Sequence, residues 1–137
     1  MTDWDPGRYQ RWFKTPLGQM VDADEKTVFF ELADLKPGER VLDVGCGDGN
    51  YTVSAAERTG LAIGIDPSEA MLRAARQRRH SLGETAYLLG TGENLPFANT
   101  SFDAVLIVTV LCFLRDPQGL IQEAHRVPPA WRTIDRR

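Results

Sequence analysis

The chain has 137 residues, of which 42% are hydrophobic and 26% charged, with a formal net charge of −3. Such a length accommodates one domain at most, and the composition is that of an ordinary globular core. The weakly acidic balance advertises neither nucleic acid nor an anionic membrane surface as a partner.

The opening residues, MTDWDPGRYQ, have no basic start and no apolar stretch, so they do not read as a signal peptide. Residues 8–15, RYQRWFKT, place aromatics ahead of Pro16 and Gly18, which suggests a short helix or a lid-like arm. From about Gln19 to Leu35 the apolar positions Met20, Val21, Phe29, Phe30, Leu32, Ala33 and Leu35 suit an amphipathic helix. KPGE, residues 36–39, is a turn that stops it.

A regular rhythm follows. RVLDVG reads as a strand, and NYTVSAAERTG as a helix closed by Gly60. LAIGID is the next strand. DPSEAMLRAARQRRH opens with a helix-start signature, with Asp66 as N-cap, Pro67 at the first helical position and Glu69 three residues after the cap. Arg73, Arg76, Arg78 and Arg79 in that stretch recur at helical spacing and read as a solvated face. TAYLLG (85–90) and FDAVLIVTVLCF (102–113) are a third and a fourth strand, and RDPQGLIQEAHRV repeats the Asp-Pro start at Asp116 and Pro117. Leu120, Ile121, Ala124 and Val127 fall on one face of this last helix. The apolar run 104–114 is far shorter than the ~20 residues that span a bilayer. Cys46 and Cys112 lack metal-ligand spacing and read as small reduced side chains of a cytoplasmic protein. Strands alternating with helices, each strand almost continuously apolar, predict a doubly wound α/β domain with a parallel sheet.

In such sheets ligands bind beyond the carboxyl ends of the strands. The loop GCGDG follows the first strand, and Gly45, Gly47 and Gly49 give it positive-φ freedom and close backbone approach. Its spacing is G-x-G-x-G, whereas the dinucleotide fingerprint is G-x-G-x-x-G. Asp43, two residues before the first glycine, would repel a pyrophosphate and could accept a hydrogen bond from an ammonium group. An acid ending the second strand, Asp66, can take the hydroxyls of a ribose. Ammonium, ribose and adenine together describe S-adenosylmethionine. A nicotinamide-dependent oxidoreductase is the first rival, and an inactive cofactor-binding fragment the second.

VLDVGCGDGNYT, AIGIDPSEAML, GENLPFANTSFDAVLIV and EAHRV, in that order over residues 38–127, resemble the successive motifs of class I S-adenosylmethionine-dependent methyltransferases. YQRWFKTPLG is similar to the aromatic entry segment of a small-molecule branch of that family. The resemblance implies a Rossmann-like core over residues 38–127, an N-terminal helical or lid segment over 1–37, and methyl transfer to a small molecule. It puts Gly45, Cys46, Gly47 and Gly49 at the methionine moiety with Asp43 near its amino group. Asp66 and Pro67 fall at the ribose, Gly92 and Glu93 at the adenine, and Thr109 near the methyl-transfer end. Members often carry an Asp that reaches the adenine amino group where this chain has Thr91, so that side-chain contact is expected to be weak or absent. Thr109, Leu111, Cys112 and Phe113 would face the acceptor. No general base stands among them, and His80 and His125 read as helix-end or solvated residues, so no catalytic residue is assigned.

EAHRV is normally followed in the family by a turn into a fifth strand, of the kind V-L-R-P-G-G-R-L-I. Here PPAWRTIDRR stands instead, with neither the turn nor a strand legible. One inserted base after the valine codon converts the family pattern into Val127-Pro128-Pro129-Ala130-Trp131-Arg132-Thr133-Ile134-Asp135 under one permissible choice of codons. The expectation is therefore a fold truncated after the fourth strand and its following helix, with a non-native tail at 128–137. The strand near 102–111 would then be an exposed edge prone to self-association.

Overall fold

A computed structural model describes residues 11–12, 14–108, 117–127 and 133–136, with Pro117 and the last four by backbone alone. The chain divides into two compact units, Met1–Asp34 and Leu35–Arg137.

The first unit carries helix α1, Pro16–Ala33. It begins three residues before the apolar periodicity does, because Thr15 caps it: the hydroxyl accepts the Gly18 N–H, and Pro16 has no amide to leave unsatisfied. Asp34 closes it in the left-handed conformation, donating its N–H to the Phe30 carbonyl. Phe29 and Phe30 meet edge to face, with ring centroids 5.1 Å apart.

The second unit is a wholly parallel five-stranded sheet with helices between the strands. Its elements are β1 Arg40–Val44, α2 Asn50–Thr59, β2 Leu61–Asp66, α3 Glu69–Arg76, β3 Glu84–Leu89, β4 Ala104–Val108, α4 Pro117–Arg126 and β5 Thr133–Arg136. The strand order is β3-β2-β1-β4-β5. The chain winds outward from β1 through β2 to β3 and then returns to the other side of β1, so the switch point lies between β1 and β4.

Side-chain alternation assigns the two faces of the sheet. Leu42, Val44, Ile65, Val105 and Ile107 pack with Leu120 and Ala124 of α4, with Val127 just past its end, and with Leu95 and Phe102, all of them buried. Ile121, expected on the same face of α4, is instead 42% exposed. The buried carboxylate of Asp43 points to the opposite face, where Thr52 of α2 reaches it. At the base of the sheet the Arg40 amide and guanidinium both donate to Asp103, and the Asp103 N–H returns a bond to the Arg40 carbonyl, fixing the register of β1 against β4.

Thr133–Arg136 forms a strand, in register with Val105–Val108, so β4 is an inner strand and the supposed exposed edge near 102–111 has a neighbour. Its four residues, TIDR, escape sequence reading because two charged residues interrupt the apolar pattern. The N-cap of α3 is Ser68, whose hydroxyl accepts the Met71 N–H; Asp66 turns the chain ahead of the helix by accepting the Ser68 N–H at 2.8 Å. The helix also ends at Arg76, earlier than the run of helix formers suggests, which leaves Arg78 off its face. β3 alternates rather than being continuously apolar, as befits an edge strand. Among the described residues no helix is long and apolar enough to cross a membrane.

Candidate functional site

Because every strand is parallel, the segments after β1, β2 and β3 all emerge at one end of the sheet. The loop after β1 is bound tightly to β2: the N–H groups of Gly45 and Cys46 both donate to the Ile65 carbonyl, at 2.7 and 3.1 Å. Gly45, Gly47 and Gly49 have φ of 70°, 55° and 81°, conformations that strain any residue with a Cβ. The glycine requirement read from the sequence is therefore real at all three positions. At Gly49 there is a second reason, since a Cβ would lie 2.6 Å from the Tyr87 hydroxyl and 3.1 Å from Ala75 Cβ.

The loop and the second strand meet directly. The Gly47 N–H donates to Asp66 Oδ2 at 3.0 Å, while Asp66 Oδ1 accepts from Ser68. Each oxygen of Asp66 thus keeps one lone pair beyond those two bonds. Burial is the largest influence on Asp66 and raises its pKa; the two amides pull the other way. Pro67 follows, exposed.

Asp43 is the unusual residue. It is 1% exposed; one oxygen accepts from the Thr52 hydroxyl at 2.7 Å, and Oδ1 has no hydrogen-bond partner. Burial, opposed by the Thr52 bond and reinforced by the charges of Asp66 and Asp48, pushes its pKa up to about 7. An unmet acceptor in a buried carboxylate at a ligand-binding end of a sheet is a place for a cationic donor. The nearby acids do not form a metal centre: among the described residues no cluster of three or more His, Cys, Asp or Glu could hold an ion.

Cys46 divides between the loop and the core. Its main chain belongs to the loop, but its side chain is buried over β2, and burial drives its thiol pKa upward. Gly64 makes that possible. In the sheet Asp43, Gly64 and Tyr87 lie side by side, and a Cβ on Gly64 would sit 2.7 Å from Cys46 Sγ and 2.9 Å from Tyr87 Cδ1. Gly64 went unremarked in the sequence, where a glycine inside a strand signals close approach of this kind.

The segment after β3 carries Thr91, Gly92 and Glu93. Thr91 is exposed, and Gly92 is wedged where a Cβ would stand 2.5 Å from Leu120 Cδ1 and 2.6 Å from Val44 Cγ1. The path beyond them is held by α4. Glu123 accepts the Leu95 N–H at 2.8 Å, and the Arg126 guanidinium donates to the carbonyls of Leu95 and Phe97 and to both oxygens of Glu123. EAHRV therefore has a physical task, in which its Glu and Arg clamp residues 95–97 in place. Thr109, Leu111, Cys112 and Phe113 lie outside the described residues.

The family model for a methyltransferase domain matches residues 42–128. The chain belongs to the class I S-adenosylmethionine-dependent methyltransferases. It is 39% identical over 112 residues to the demethylmenaquinone methyltransferase of Tropheryma whipplei, a match covering 81% of this chain and 46% of that protein. It is 31% identical over 123 residues to an uncharacterised Mycobacterium bovis protein, covering 90% of this chain and 40% of that one. A Thermotoga maritima structure, described as a methyltransferase dependent on S-adenosylmethionine and a possible histamine N-methyltransferase, superposes with a TM-score of 0.66 at 33% identity. That match covers 89% of this chain and 52% of the Thermotoga chain. The [4+2]-cyclase SpnF superposes at 0.71 with 25% identity over 84% of this chain and 43% of its own. This methyltransferase-family chain spans about half the length of the relatives it matches.

Proposed function

We propose that this chain binds S-adenosylmethionine at the carboxyl ends of β1–β3 and serves methyl transfer to a small molecule in the cytoplasm. The observation that carries the reading is the unpartnered Oδ1 of Asp43, an acceptor already buried and suited to the ammonium group of the methionine moiety. Gly45, Gly47 and Gly49 let the main chain, with that of Cys46, lie against the same moiety. The free lone pairs of Asp66 serve the ribose hydroxyls, with Pro67 beside them, and the main chain at Gly92 and Glu93 serves the adenine. Thr109 and its neighbours would face the acceptor.

S-Adenosylmethionine supplies a methyl group activated by its sulfonium charge, so alignment with the acceptor matters more than acid–base help. The protein's work is accordingly to orient the two reactants and to exclude water. A neighbouring fold that performs a [4+2] cyclisation makes the reaction worth testing separately from the ligand.

The test is calorimetric titration with S-adenosylhomocysteine and, separately, with NAD. Binding of the first but not the second is expected, and Asp66→Ala should weaken it by about 2–4 kcal/mol, the cost of losing a charged acceptor for two hydroxyls. Binding of NAD alone, or wild-type affinity in the variant, would overturn the reading.

A further inference from the structure

We propose that Arg78 is a positioning residue for the glycine loop, latching Asp48 and through it holding residues 45–49 in the shape that receives the methionine end of the ligand. The proposal rests on the assignment of that loop given above.

Asp48 is the apex of the loop, 2% exposed, with Gly47 and Gly49 on either side at positive φ. A residue between two glycines has neighbours with the greatest backbone freedom available, so ordering it costs the most conformational entropy. Something outside the loop has to hold it. Arg78 Nε donates to the Asp48 carbonyl and its Nη2 to Asp48 Oδ2, both at 2.9 Å. The fork therefore grips main chain and side chain of one residue together, which fixes the peptide plane as well as the rotamer. A planar guanidinium can do this, whereas a lysine ammonium offers a single point of attachment. Arg78 is itself anchored, since its N–H donates to the Ala75 carbonyl at the end of α3.

The other oxygen of Asp48 accepts the Asn50 N–H at 3.3 Å, at the start of α2, a helix whose own cap residue, Gly49, has no side chain to offer. The latch thus passes from α3 through the loop apex to the first turn of α2. Its electrostatic effect points the same way. Asp43 and Asp66 both lie close to this loop, and the cation on Asp48 neutralises the one acid that no ligand contact requires. What remains is an acidic lining for a cationic ligand.

Hydrogen exchange at the Gly47 and Gly49 amides, measured without ligand, reads the latch directly. Arg78→Met, which removes both bonds, should speed exchange at both amides about tenfold or more, with Arg78→Lys in between. In the same variants S-adenosylhomocysteine, which reaches the loop, should bind about tenfold more weakly, while adenosine, which does not, should change by less than about twofold. Asp48→Asn, which keeps the main-chain carbonyl for Nε, should give a smaller part of the Arg78→Met loss, and in the Arg78→Met background it should add nothing further. Unaltered exchange, or an equal loss for both ligands, would overturn the proposal. A wild-type chain that binds neither ligand would count against the proposed function, and the exchange comparison would still decide the latch.

Discussion

Asp43 has its pKa raised to about 7 by burial, so the folded chain holds its proton more tightly than the unfolded chain does, where a carboxylate sits near ~3.9. The sign follows from linkage. The stabilisation is fully present below the unfolded value and is lost as pH rises through about 7. Replacing the residue by asparagine removes the ionisation and keeps the shape. Asp43→Asn should therefore gain on the wild type as pH rises, its advantage growing between pH 5 and pH 8 by on the order of 2–4 kcal/mol without ligand. Chemical denaturation at the two pH values measures this, and a difference that does not vary with pH would refute it. Gly64 is the second informative residue. Gly64→Ala forces a methyl against Cys46 and Tyr87 and should cost about 1–3 kcal/mol, and Cys46→Ala in the same chain should return part of that. Failure of the second substitution to help would mean the strain is relieved elsewhere. The positive-φ need of the three loop glycines was legible in the sequence because its meaning is local, a spacing within one turn. Gly64 and Arg78 were not, since each acts on residues that only the fold brings near, Asp48 being 30 positions from its cation.

At the scale of elements, strands and helices were legible wherever a face was buried, and their ends were not. α3 was expected to start at Asp66 because Asp-Pro resembles a cap, yet Asp66 spends its oxygens on Gly47 and Ser68, leaving Ser68 to cap the helix. β5 was missed because its pairing comes from β4 and its own side-chain pattern says little. The clamp from α4 shows how a helix can serve a loop that it precedes in no sense. Arg126 beside Glu123 holds that carboxyl below its ordinary range, and the pair reaches back to residues 95–97. Glu123→Ala leaves the Leu95 N–H and part of the guanidinium unsatisfied and should cost about 1–2 kcal/mol. Exchange at the Leu95 amide should rise with it, while that at Gly47 stays unchanged. A rise at both amides would show global loosening instead of a local clamp.

For the molecule as a whole, the sheet has β3 at one edge and β5 at the other, with β4 inside. The β3 edge is a candidate for association, since Leu88 and Leu89 there are 41% and 59% exposed. Leu89→Lys should shift sedimentation towards a single slow species without altering the melting temperature by more than about 2 °C, as charge on an edge strand does. If wild type and variant sediment alike, β3 is not a contact surface. The strand order also bears on how the chain is born. β1, β2 and β3 are consecutive, and so are α2 and α3 that connect them, so this half can close as soon as residue 89 has cleared the ribosome. The glycine loop, Asp66 and Arg78 all belong to that first half. The support for residues 95–97 is synthesised some thirty positions later, at Glu123 and Arg126. During translation, then, the glycine loop and Asp66 are in place first, and residues 95–97 wait for their fastening until α4 arrives.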